Sequence, residues 1–194
     1  MKESTQMSTL SNNNIVKHSN QTRLWVLTSM FVAMSIISAF LIIPLPVVPI
    51  TFQLIVAISA GVFLGPKYGP LSQLIYLFLG LIGFPVFTKG GGPAYILQPT
   101  FGFLVGLFLA AFVSGIIWDK PRWKRILAII LGIFSVYIVG VTYLWLSSSW
   151  VFKTPISFFV SLNMGFWPFI IKDLALGVVL LVVIEIVCKY TDSR

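Results

Sequence analysis

Six long apolar stretches, each bounded by proline, glycine or charged residues, make up most of the chain. The first, Trp25 to Ile43, is long enough to cross a hydrocarbon core of about 30 Å. Pro44, Pro46 and Pro49 end it, because each proline also pushes its predecessor out of the helical region. The second, Thr51 to Leu64, is short for a straight span: either it is partly shielded from lipid, or its helix begins upstream of where the prolines suggest. Gly65-Pro66-Lys67-Tyr68-Gly69-Pro70 reads as a tight turn. The third stretch covers Leu71 to Phe87, the fourth Tyr95 to Trp118, the fifth Ile126 to Leu146 and the sixth Gly165 to Cys188. A charged loop, Asp119 to Arg125, joins the fourth to the fifth, and an aromatic, Ser-rich connection, Ser147 to Leu162, joins the fifth to the sixth. No internal repeat is evident. The pattern predicts an all-α membrane protein, a bundle of six transmembrane helices forming one domain over residues 24–189. A polar tail, residues 1–23, precedes it and a short tail, residues 190–194, follows. Residues 1–22 are rich in Ser, Asn and Gln, too hydrophilic for a signal peptide, and are expected to be mobile.

Composition sharpens this picture. Hydrophobic residues make up 58% and charged residues 9%, against roughly 45–50% and about 25% in soluble domains. The net charge of +8 does not mark a nucleic-acid partner, because the basic residues sit in short segments at the ends of apolar runs. They set orientation instead. With the N-terminus inside, the inner side carries Lys2, Lys17, Arg23, Lys67, Lys120, Arg122, Lys124, Arg125, Lys189 and Arg194, and the outer side only Lys89 and Lys153. That asymmetry predicts both termini in the cytoplasm, with the protein a multi-pass component of the cell membrane. A single cysteine, Cys188, excludes an intramolecular disulfide and a multi-cysteine zinc site. His18, the only histidine, lies in the polar tail, which excludes histidine catalysis within the membrane. No metal-ligand cluster, Ser-His or Cys-His pair is present, and no GxxxxGKS or GxxxxGKT element, so the chain does not itself hydrolyse ATP.

One segment fits neither span nor simple turn: Lys89-Gly90-Gly91-Gly92-Pro93-Ala94-Tyr95-Ile96-Leu97-Gln98-Pro99-Thr100-Phe101-Gly102. Three glycines in a row cannot hold a helix, and two prolines remove two backbone donors. Broken backbone beside a span is tolerated where it is buried in protein or lines a wet cavity. The segment is therefore read as the wall or lid of a binding site, with Lys89, Gly91, Gly92, Tyr95, Gln98 and Phe101 as candidate ligand contacts. The alternative is an external loop with glycine for flexibility.

Two acids lie within the spans, Asp173 and Glu185. Asp173 falls about 12 Å along its helix from the outer end. A carboxylate there costs several kcal/mol unless it has partners or water, so it either accepts hydrogen bonds from a polar ligand or pairs with Lys172. Lys172 either attracts a ligand carboxylate or snorkels to the outer interface. Glu185 and Lys189, four apart near the inner end, read as a surface pair. On the first helix Ser29 and Ala33, and on a nearby face Ser35 and Ala39, are small residues four apart. They admit a partner helix to close contact, or pack inside the bundle. Trp25, Trp118, Trp123, Trp150 and Trp167 lie near span ends, as interfacial belts do.

Several of these motifs occur together in one known family. Pro49-Ile50-Thr51-Phe52-Gln53 is similar to a PVPITLQ signature. The Gly65-Pro66 turn, Gly83-Phe84-Pro85-Val86-Phe87, Gly91-Gly92-Pro93 and Gln98-Pro99-Thr100-Phe101-Gly102 follow in the same order and spacing. Over roughly residues 24–188 the chain resembles BioY, the family of biotin-binding S components of energy-coupling factor (ECF) vitamin transporters. The resemblance implies a six-helix bundle with an outward-facing pocket, a membrane partner called the T component, and two ATPase subunits that use ATP. The chain itself needs no cofactor. It implies binding rather than enzymatic turnover: the ureido N–H groups of biotin suit Asp173 and Gln98, its fused rings suit Tyr95 and Phe101, and its carboxylate suits Lys89 or Lys172. The first-helix face with Ser29 and Ala33 would meet the T component, with Ser29 standing where the family prefers alanine. The sixth helix departs from the pattern. Pro168-Phe169 and Asp173 match, but Leu176 occupies the position of the usual lysine, and Lys172 lies one turn away on the same face. Two other classes remain compatible with the residues: an S component or solitary transporter for another vitamin-like molecule, and a membrane assembly protein whose glycine segment is a linker.

Overall fold

The structure, a computed structural model, describes the backbone of residues 2–43, 48–118, 121–151 and 155–192. It describes the side chains of residues 21–43, 48–118, 121–148 and 155–186. Pro44, Pro46, Lys120 and Lys153 lie outside the described residues, as do the side chains of Lys2, Lys17, His18, Trp150, Cys188, Lys189 and Arg194.

Six α-helices are found among the described residues: α1 (Lys2–Phe40), α2 (Gln53–Leu81), α3 (Phe101–Ile117), α4 (Arg122–Val151), α5 (Phe158–Gly165) and α6 (Trp167–Asp192). The backbone is helical from Lys2, so the polar segment expected as a mobile tail continues α1. No glycine or proline lies between Lys2 and Phe40 to interrupt it. An antiparallel ribbon of β1 (Ile42–Ile43) and β2 (Ile50–Thr51), paired Ile42 to Thr51 and Ile43 to Ile50, links α1 to α2. The second apolar stretch therefore does not become helical further upstream. It begins at Gln53, directly after the ribbon.

Helix α2 is not one rod. Gly65 has φ +75° and ψ −175°, a combination open essentially only to glycine. The amide of Gln53 donates to the Tyr76 hydroxyl at 2.7 Å, yet 23 residues of straight helix would span about 34 Å. Gly69 lies so close to the Gly61 backbone that a side chain on it would come within 2.7 Å of the Gly61 Cα. The two halves, roughly 18 and 24 Å long at 1.5 Å per residue, fold back on each other about Gly65. The reversal is confined to Gly65: the backbone is helical again from Pro66, where a turn through Pro70 was expected. The third helix stops at Leu81, short of the anticipated Phe87, and α3 starts at Phe101, after Tyr95, because a 3-10 turn over Pro93–Leu97 and then Pro99 intervene.

Contacts fix which ends lie together. Trp25 packs edge-on against Tyr68 at 5.9 Å. Gly115 abuts Gly65 and Pro66, and Arg122 pairs with Glu185 at 3.0 Å. These residues form the turn end of the bundle. Glu185 thus has a charge partner on α4; the expected pair with Lys189 falls on a side chain outside the described residues. The ribbon, the glycine segment and the connection before α6 form the opposite, loop end.

Apolar residues such as Ile138, Phe159 and Ile171 remain more than 65% exposed, as they should on an integral membrane protein. Lipid is as apolar as leucine, so helix association rests on close packing and interhelical hydrogen bonds. Gly61 fits against the Ala111 carbonyl and the Ser114 hydroxyl, where no Cβ could be accommodated. The buried Gln73 amide donates to Ser35 Oγ at 3.1 Å, joining α2 to α1.

Candidate functional site

At the loop end, α6 presents Asp173 at the floor of a cleft of about 60 Å³. Val48, Pro49 and Thr51 from the ribbon, Phe103 of α3 and Tyr137 of α4 form its other walls. Asp173 is buried, 6% exposed. Lys172 Nζ meets its Oδ1 at 2.6 Å, and the Tyr137 hydroxyl donates to its Oδ2. The pairing of Asp173 with Lys172, one of the two readings of the acid, is therefore present, and the acid also faces a cleft, as the other reading requires. Lys172 does not snorkel outward. Its Nζ donates to the Thr51 carbonyl at 2.7 Å and lies 5.9 Å from the Phe52 ring, so it fastens the ribbon to α6. This arrangement neutralises a buried carboxylate while leaving lone pairs for further donors, since each carboxylate oxygen accepts more than one hydrogen bond.

The glycine segment sits apart from this cleft, and none of residues 89–101 lines it. Phe87 and Gly90 exchange backbone hydrogen bonds at 2.9 and 3.1 Å, closing a tight turn with the exposed Lys89 at its tip. Gly91 packs against the Phe84 carbonyl, which leaves no room for a Cβ. Gly92, at φ +110°, donates its N–H to the Gly80 carbonyl at 2.7 Å. Tyr95 is buried, its ring 4.5 Å from that of Phe87 and its hydroxyl 3.0 Å from Thr88 Oγ1. Gln98 is half-buried after the 3-10 turn, and Phe101 packs on Tyr143 at 5.8 Å. The segment is thus a structured cap on the end of α2, not a flexible linker. Inward from it, Tyr76 touches Phe87 at 5.5 Å and accepts from Gln53, two residues beyond Thr51. A chain of contacts therefore joins the cap to the Lys172–Asp173 cleft through Gln53 and the half-buried Phe52 and Thr51.

Tyr137 and Tyr76 are not among the candidates read from the sequence, and Gln53 enters only as the last residue of the Pro49–Gln53 motif. A signal existed for each: a hydroxyl or amide inside an apolar span needs a partner. On α1, Ser29 and Ala33 lie on the exposed face with Met30 and Ile37, whereas Ser35 and Ala39 are buried. Packing inside the bundle therefore applies to the second pair only. No group of three or more potential metal ligands occurs among the described residues.

Residues 7–192 match the BioY family. The chain belongs to this family. It is 41% identical over 157 residues to the probable biotin transporter BioY of Lysinibacillus sphaericus, covering 79% of this chain and 80% of that protein. A probable biotin transporter BioY from Pyrococcus horikoshii is 34% identical over 160 residues, covering 82% and 92%. Among solved structures, the S component for biotin from an ECF-type ABC transporter superposes with a TM-score of 0.75 at 28% identity, over 88% of this chain and 93% of that one. A second S component of a bacterial ECF transporter, at 17% identity and a TM-score of 0.54, shares the fold. The BioY family is one of transporters, and within it the cleft at Asp173 is the natural candidate for the ligand site.

Proposed function

We propose that this chain is the biotin-binding S component of an ECF-type uptake transporter. Biotin is captured at the loop end, which faces outward, and delivered with a T component and two ATPase subunits that use ATP. The reading places the two halves of α2 as separate crossings, giving six spans with α1, α3, α4 and α6 and both termini in the cytoplasm of a prokaryotic cell. The basic residues Lys67 and Arg122 at the turn end support that orientation.

The observation that carries the proposal is the buried carboxylate of Asp173 at the floor of the cleft in a chain of this family. Biotin's ureido group offers two N–H donors, and an anionic acceptor in a low-dielectric site binds such donors more strongly than water does. Lys172 lines the cleft, and Lys89, Gly91, Gly92, Tyr95, Gln98 and Phe101, which stand apart from it in the cap, are assigned as contacts reached when the cap moves inward. Lys172 stands in for the lysine that Leu176 lacks. A cleft of about 60 Å³ is below the roughly 300 Å³ or more of ordinary ligand pockets, so binding widens it by moving the ribbon or the glycine cap. The exposed face with Ser29 and Ala33 meets the T component. Extraction of the chain from biotin-grown cells tests the assignment. Biotin copurifying in stoichiometric amount supports it, and a folded chain carrying a different vitamin sinks it.

A further inference from the structure

Buried hydroxyls in this structure are satisfied almost without exception. Thr28 donates to Leu24, Ser38 to Ser35, Ser72 to Gly69 and Ser114 to Ala110, all to backbone carbonyls within 2.9 Å. Among the described residues only two buried side-chain polar atoms make no hydrogen bond, Thr100 Oγ1 and Asp173 Oδ1. The second is met by the Lys172 ammonium. Thr100, 7% exposed, has nothing. It stands at the N-terminal boundary of α3, where a threonine ordinarily caps the helix. Its backbone, at φ −83° and ψ −8°, is helical rather than extended, and its side chain makes no capping bond. An unpaired buried hydroxyl is costly to leave unmade.

The position of Thr100 gives that hydroxyl a use. Thr100 lies one turn beyond Phe103, which lines the Asp173 cleft, and shares a helix face with the buried Leu104 and Leu107. Gly102 abuts Tyr143, and Gly140 abuts Phe103. This antiparallel register sets Thr100 level with Leu144, seven residues or about 10 Å along α4 beyond Tyr137, the partner of Asp173. From ureido to carboxylate, extended biotin also measures about 10 Å by standard bond lengths.

We propose that Thr100 is the contact for the ligand's carboxylate end, its hydroxyl donating to a carboxylate oxygen while Asp173 accepts from the ureido N–H groups. This rests on the biotin reading and fixes the ligand's direction: ureido group deep, carboxylate toward the glycine cap. The positive end of α3's dipole lies at the same position and favours an anion there.

The test compares Thr100→Val and Thr100→Ser with the wild-type chain, titrating biotin and biotin methyl ester, with melting temperature measured without ligand. Thr100→Val should weaken biotin about tenfold or more and the ester distinctly less, because the ester carbonyl accepts only a neutral, weaker hydrogen bond. Thr100→Ser should retain wild-type binding. Without ligand, the valine variant should melt no lower than wild type, because it loses an unpaired polar group. Wild-type biotin affinity in Thr100→Val overturns the assignment. So does equal loss of both ligands together with a lower melting temperature, which marks a structural hydroxyl. A wild-type chain that binds no biotin overturns the function reading, and this inference with it.

Discussion

Replacing Asp173 by asparagine separates the ligand-binding and structural roles of the cleft. The substitution preserves shape and an oxygen that can still accept from Tyr137, but removes the charge. A hydrogen bond to a charged group contributes about 1.5–3 kcal/mol and a neutral one about 0.5–1.5. Two ureido donors therefore lose about 2 kcal/mol together, and the Asn N–H₂, which cannot accept, adds to the mismatch. The expected outcome is biotin binding weakened at least tenfold, or by about 1.4 kcal/mol. Stability responds separately. Breaking a buried ion pair costs about 3–5 kcal/mol when the remaining charge is stranded. Here Lys172 keeps the Thr51 carbonyl and its side chain is 24% exposed, so a loss nearer 1–2 kcal/mol is expected. Titration of purified Asp173→Asn with labelled biotin, alongside thermal melting without ligand, measures both. Unchanged affinity would refute the assignment of Asp173 as the ureido acceptor.

Other outcomes follow from the same geometry. Ala33→Trp places a large ring on the exposed face of α1; pull-down of the T component and ATP-dependent uptake should fall together while biotin affinity of the isolated chain holds, and normal pull-down with lost biotin binding would put this face inside the bundle. Gly80→Ala drives a methyl group into the Phe87 ring; overpacking of this kind typically costs about 1–3 kcal/mol, and the glycine cap should become more susceptible to proteolysis, whereas unchanged melting and cleavage would show that the cap does not rest on this contact. Cysteines at the exposed Lys89 and Pro155 should react with an impermeant reagent in intact cells and a cysteine at the exposed Arg122 should not; labelling at 122 would reverse the orientation.

Most helix positions were legible because membrane spans announce themselves through length and apolarity, and proline or glycine marks their ends. The reversal was legible within Gly65–Pro70, though only Gly65 leaves the helical conformation. The misread boundaries have a common cause. Tyr95-Ile96-Leu97 is as apolar as a helix start, but Pro93 and Pro99 confine it to a 3-10 turn. The ribbon of four paired residues carries too little periodicity to be seen. At the site, Asp173 stood out as an intramembrane acid. Its tie to Tyr137, 36 residues away, and that of Lys172 to Thr51, 121 residues away, depend on tertiary packing alone. The same holds for the pairing of Glu185 with Arg122 across the bundle.

The central claim is that one biotin binds per chain at the Asp173 cleft without any partner subunit. Calorimetric titration of the purified chain alone, with biotin and with thiamine and riboflavin as competitors, tests it most directly. The account predicts one saturable biotin site per chain that neither competitor displaces and that Asp173→Asn weakens at least tenfold. A chain that is folded by its melting profile yet takes up no biotin, or that binds a competitor equally well, would contradict it.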